Sequence, residues 1–140
     1  MTPLGQLIDS IADAGDGRFT VNASDDWRQG RTLYGGVSAG LCYAACERLV
    51  PDLPPLRSAQ IAFIGPSGGE ATLVPTVLRR GKSVTFMACD LLADGVVAMV
   101  VVVAARVIAT GKRAGRQTHR GNGEEAANGF DLMIHEGIPC

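Results

Sequence analysis

The chain has 140 residues, 46% of them hydrophobic, which suits one domain with a single core. A net charge of −1 and an aromatic content of 5% exclude the basic excess and the stacking platforms of a nucleic-acid-binding protein. The most apolar run, Val96 to Ala105, is far shorter than the roughly 20 residues that cross a bilayer, so it is expected to be a buried strand, and no membrane partner is expected.

At the N-terminus, Thr2 and Pro3 suit the cap and first turn of a helix. Leu4, Leu7, Ile8 and Ile11 follow at helical spacing and Gly15 offers a stop, which predicts a short amphipathic helix. This opening has no basic start, long apolar core or cleavage site, so no secretory signal is expected. Arg18 to Ala23 alternates and reads as a strand, and a polar crossing with one large aromatic, Trp27, comes next.

From Gly36 to about Val50 there is no proline, and Pro51 stops the run. Val37, Leu41, Cys42, Tyr43, Ala44, Ala45, Cys46 and Leu49 cover most of the circumference of a helix here. A helix that is apolar all round is buried all round, and in a small domain a curved sheet is the economical wrapper. The rest of the chain supplies that sheet. Leu56 to Ile64 is one strand, closed by "GPSGG". Glu70 to Arg80 is the next, with Pro75 pointing to an edge or a bulge. Ser83 to Ala93 leads into Asp94–Gly95, a hairpin signal, and Val96 to Ala109 is the last strand. The expected fold is α+β: a long central helix wrapped by a curved antiparallel sheet of about five strands.

A single domain is expected over residues 1–110, with a polar, glycine-rich and disordered tail over 111–140. His119 and His135 fall in that tail. Cys42, Cys46, Cys89 and Cys140 form no C-x-x-C pair and read as reduced thiols of a cytoplasmic protein. Cys42 and Cys46, four apart on the helix and without a histidine nearby, read as small buried hydrophobes, so no metal and no cofactor are expected.

One helix wrapped by a meander of antiparallel strands, in this order, resembles the hot-dog fold. The stretches "YGGVSAGL", "LRSAQIAFIGP" and "LRRGKSVTF", in sequence over about Trp27 to Val107, resemble the acyl-CoA thioesterase family. The likeness is greatest to the N-terminal unit of the double-hot-dog acyl-CoA thioesterases. It implies an acyl-CoA ligand, hydrolysis of its thioester, and pairing as a homodimer or with a second hot-dog unit.

Thioester hydrolysis needs a dipole on the carbonyl and an activated water. Gly35 and Gly36 let backbone approach a ligand, and the amides of Gly36 and Val37 at the helix start can polarise a carbonyl. The same glycines would equally let the helix pack on a strand. Single-unit relatives carry a carboxylate seven residues beyond the second glycine, where this chain has Tyr43. Double-hot-dog relatives carry a catalytic glutamine in the last strand of the C-terminal unit, and the corresponding count here gives Val103. Glu47, one turn beyond Tyr43, is the substitute base or a solvated side chain, and Asp90 carries the same two readings. Arg79, Arg80, Lys82 and Ser83 form a hairpin cluster suited to CoA phosphates, or a solvated turn. Tyr34 and Trp27 flank the helix start, and Leu41 with Val37 would line an acyl channel. Two functions follow: an acyl-CoA thioesterase, or a non-catalytic acyl-CoA-binding half of a split enzyme. A dehydratase would need an Asp and His pair, and neither histidine lies in the folded unit.

Overall fold

The computed structural model describes residues 2–107. The tail expected over 111–140, with its two histidines and Cys140, lies outside the described residues.

The opening helix α1 spans only Leu4–Asp9 and is shorter than the periodicity predicted. Ser10 closes it, with its hydroxyl donating to the Leu7 carbonyl at 2.6 Å. The chain then forms β1 (Ala12–Gly15), which turns through Asp16 and Gly17, both at positive φ, into β2 (Arg18–Asn22). This extra strand brings the main sheet to six, one more than the expected five or so. A 3-10 turn (Asp25–Trp27) leads to a small hairpin of β3 (Arg28–Gln29) and β4 (Thr32–Leu33). Then come the long helix α2 (Gly35–Leu49), β5 (Leu56–Phe63), β6 (Glu70–Arg80), β7 (Val84–Ala93) and β8 (Val96–Arg106).

The sheet order is β1-β2-β6-β7-β8-β5, with every neighbouring pair antiparallel. Asp94 and Gly95, at φ 53° and 76°, make the two-residue turn that this dipeptide favours between β7 and β8. Pro75 is tolerated inside β6 for a clear reason. β2 pairs only as far as Leu73, so Pro75 lies where that side of β6 has no ladder bond to lose. A register shift follows at Val77/Arg79.

The core lies between α2 and one face of the sheet. Alternation along β7 turns Met87, Cys89 and Leu91 inward, where they meet Leu41, Cys42, Ala45 and Cys46 of α2. Met99, Val101 and Val103 of β8 add the next row. The domain is a hot-dog: a sheet curled about one buried helix.

Strand parity fixes which end of the sheet meets which end of α2. Phe63, at the end of β5, touches Gly35 at the helix start, so β5 runs back along α2. β6 then returns toward the helix C-terminus, where Arg80 meets Asp52.

Candidate functional site

The start of α2 carries the site. Its first intrahelical bond runs from the Ser38 N–H to the Tyr34 carbonyl at 3.0 Å. The N–H groups of Gly35, Gly36 and Val37 therefore have no helical acceptor, and no side chain among the described residues caps them. These amides form the positive end of the helix dipole, suited to a carbonyl oxygen or an anion.

The two glycines do different work. A Cβ on Gly35 would stand 2.7 Å and 2.8 Å from two atoms of the Phe63 ring, so Gly35 lets the end of β5 close on the helix. Gly36 is exposed and a Cβ there would meet nothing within 4 Å, so no packing contact demands a glycine there. The packing reading of the pair therefore has its contact at Gly35.

Beside Gly35 lies a cavity of about 610 Å³. Its walls are Phe63, Ile64 and Pro66 on one side and Gln29, Arg31 and Thr32 on the other. Two hydrogen bonds clasp these sides together: Leu33 N–H to the Ser67 carbonyl at 2.6 Å, and Ser67 N–H to Thr32 Oγ1 at 3.1 Å. Gly30, at φ 69°, supplies the backbone turn that sets Arg31 at the tip of the β3–β4 hairpin. Arg31, Phe63, Ile64 and Ser67 were not singled out from sequence, because their meeting depends on contacts between segments far apart in the chain.

The other residues read from sequence fall into three groups. Near the site are Tyr34, exposed at the cap position, and Trp27, half-buried, whose carbonyl accepts from Tyr34 N–H at 3.0 Å. Val37 and Leu41 are in the core, and Leu41 is fully buried in its packing. Ser38, one turn into α2, is only 2% exposed, yet its hydroxyl has no partner among the described residues. Trp27 Nε1 shares that condition. A serine inside a helix usually bonds the carbonyl one turn back, and Ser38 does not.

The second group sits too far along α2. At about 1.5 Å per residue, Glu47 is about 16 Å beyond Gly36. The Tyr43 phenol lies with Glu47 and the Leu56 backbone, toward the far end of the helix. Burial, and then the Glu47 carboxylate beside it, push its pKa up to about 12, so it stays protonated at neutral pH and is no general base. The third group lies elsewhere in the fold. Asp90 falls between the inward residues Cys89 and Leu91, so it faces away from α2. Arg79, Arg80, Lys82 and Ser83 are exposed at the β6–β7 turn, level with the helix C-terminus, and Arg80 pairs there with Asp52. Val103 is buried on the inner face.

The thiols of Cys46 and Cys89 are pushed up, first by hydrogen bonding among the Cys42, Cys46 and Cys89 thiols and then by burial. They stay protonated and act as packing. Among the described residues, no group of His, Cys, Asp or Glu is arranged to hold a metal ion. No helix among them is long and apolar enough to cross a membrane.

Residues 23–111 match the family described as the acyl-CoA thioesterase N-terminal domain. No curated protein matches the chain at a significant level. Among solved structures, a candidate thioesterase II of Thermobifida fusca YX is similar at 19% identity and a TM-score of 0.70, over 86% of this chain and 44% of that one. A hot-dog protein of unknown function from Alicyclobacillus acidocaldarius gives 13% identity and a TM-score of 0.67, over 89% and 48%. The BH2602 protein of Bacillus halodurans, solved with CoA, gives 19% identity and a TM-score of 0.65, over 77% of each chain. At these identities the likeness is one of fold. The chain spans about half the length of the first two of these relatives.

Proposed function

Because the chain belongs to the acyl-CoA thioesterase N-terminal domain family, we propose that it binds an acyl-CoA thioester with the carbonyl at the start of α2. The observation that carries this reading is the set of uncapped amides at Gly35, Gly36 and Val37, opening beside a cavity walled by Phe63 and Ile64. The amides polarise the carbonyl, and the apolar wall takes the acyl chain. The reaction in view is hydrolysis to free acid and CoA.

Turnover by one unit is slow in this account. A general base contributes roughly 10²–10⁴-fold, and it must stand within hydrogen-bond reach of the attacking water. Tyr43 is held protonated, Glu47 is distant and Asp90 faces the other side of the sheet. The single unit is therefore chiefly a binding half, and fast hydrolysis needs a second unit to supply the base.

Pairing is supported by β5. Among the described residues it bonds only to β8, which leaves its outer edge unpaired there, and Leu56, Ile61 and Phe63 are exposed along it. A long apolar edge of this kind is usually covered. A second copy, or a second hot-dog unit, is the proposed cover. The cytoplasm is the proposed compartment, in keeping with three buried free thiols.

The test is to titrate the chain calorimetrically with short, medium and long acyl-CoA while thiol release is followed on the same samples. Saturable binding with slow release is expected. Fast release that survives Glu47→Gln and Asp90→Asn would show that the catalytic group lies elsewhere, and no binding at any chain length would end the acyl-CoA reading.

A further inference from the structure

The cavity beside Gly35 is apolar on the side of Phe63, Ile64 and Pro66, but it is not neutral. Among the described residues, Arg31 is its one charged lining residue and no carboxylate lines it. The neighbouring Arg28 is held by Asp25 at 3.1 Å, whereas the Arg31 guanidinium makes no ion pair or side-chain hydrogen bond among the described residues. Arg31 is also held in place rather than carried on a loose loop. It occupies a tight turn, and the residues that follow it are clasped to Ser67. An exposed, unpaired guanidinium, on backbone held by the hairpin at the rim of a largely apolar pocket, calls for an anion whose body is apolar.

Two anions are in view if the thioester carbonyl rests on the α2 amides. The phosphates of CoA are separated from the sulfur by the whole pantetheine arm. Arg31 and Gly35 line one cavity of about 610 Å³, so a group held by both within it is short. A carboxylate at the far end of a short acyl chain meets that condition, and the CoA phosphates do not.

We propose that Arg31 selects acyl-CoA thioesters whose short acyl group ends in a carboxylate, with the methylenes against Phe63 and Ile64 and the carboxylate on the guanidinium. This rests on the acyl-CoA reading and narrows its substrate class. It also gives the chain an anion-binding residue at the amide end of α2, at the opposite end of the helix from the Arg79–Lys82 hairpin.

The test compares two ligands of one shape. The acyl groups of glutaryl-CoA and 5-methylhexanoyl-CoA share one branching pattern of non-hydrogen atoms and differ in ending on a carboxylate or an isopropyl group. The unmodified full chain should bind glutaryl-CoA more tightly by roughly 10- to 100-fold, the usual worth of a hydrogen bond to a charged group. The preference should weaken with added salt, vanish in Arg31→Ala and persist in part in Arg31→Lys, which keeps the charge but not the planar fork. Thermal melts of both variants confirm that they fold. If 5-methylhexanoyl-CoA binds as well as glutaryl-CoA, or the preference survives in Arg31→Ala, the carboxylate assignment is wrong while the acyl-CoA reading stands. If neither ligand nor any longer acyl-CoA binds the unmodified chain, both fall together.

Discussion

Substituting Gly35 by Ala tests the division of labour between the two glycines. The new Cβ would approach Phe63 Cζ at 2.7 Å and Cε1 at 2.8 Å, well inside contact distance. The ring is 66% exposed, so it can swing away, at a cost of about 0.5–1.5 kcal/mol for a displaced rotamer. Against this, Ala in a helix is favoured over Gly by about 0.8–1 kcal/mol, and less in the first turn. The single variant should therefore fall between a gain of about 0.5 kcal/mol and a loss of about 1 kcal/mol. Gly36→Ala meets nothing and should show the helix gain alone. In a Phe63→Ala background the clash is gone, so Gly35→Ala should become stabilising. The two positions should couple by about 1 kcal/mol in a double-mutant cycle measured by urea unfolding. Acyl-CoA affinity should drop in Gly35→Ala, because the displaced ring is a wall of the cavity. A coupling indistinguishable from zero, or a Gly35→Ala variant as stable as Gly36→Ala, would refute the close approach of Phe63 to the helix.

Three further outcomes are expected. Ser38→Ala should leave stability unchanged or raise it by about 1 kcal/mol in thermal unfolding, because it removes a buried hydroxyl without a partner; a loss of that size would reveal a bond to Ser38. The Tyr43 pKa is raised in the folded state from 10.0 to about 12, so its contribution to stability is complete below pH about 10 and is lost as pH rises toward 12. Unfolding curves across that window should flatten in Tyr43→Phe, and an unchanged slope would contradict the raised value. Ile61→Lys, on the free edge of β5, should convert a self-associated chain to monomers in light scattering, whereas a monomer before substitution would contradict pairing through that edge.

Much of the fold is legible from local rules. The run from Val37 to Leu49 is apolar on nearly every side, which already requires a wrapper, and Pro51 ends it. Asp94–Gly95 marks its hairpin because both residues accept positive φ. β1 was hidden for the opposite reason. All four of its residues are exposed, so no alternation announces it, and it exists by pairing with β2 across Asp16–Gly17.

The site was legible only in part. The glycine pair is visible in sequence, but Phe63, whose ring packs where a Cβ on Gly35 would stand, lies 28 residues away. Arg31 reads as one more polar residue of a crossing until Ser67 clasps the hairpin. The placement of Arg79 to Ser83 could have been found by counting. β5 runs from the end of α2 back to its start, so β6 must return, and its far turn falls at the helix C-terminus. The orphaned Ser38 hydroxyl has no signature in sequence, since serine inside a helix normally finds a carbonyl.

The most direct measurement of the central claim is an amide NMR titration of the full chain with acyl-CoA. The N–H resonances of Gly35, Gly36 and Val37 should shift saturably with ligand while those of Asp90 and its neighbours in β7 stay in place. Shifts confined to β7, or to the Arg79–Ser83 turn, with the start of α2 unmoved, would contradict it.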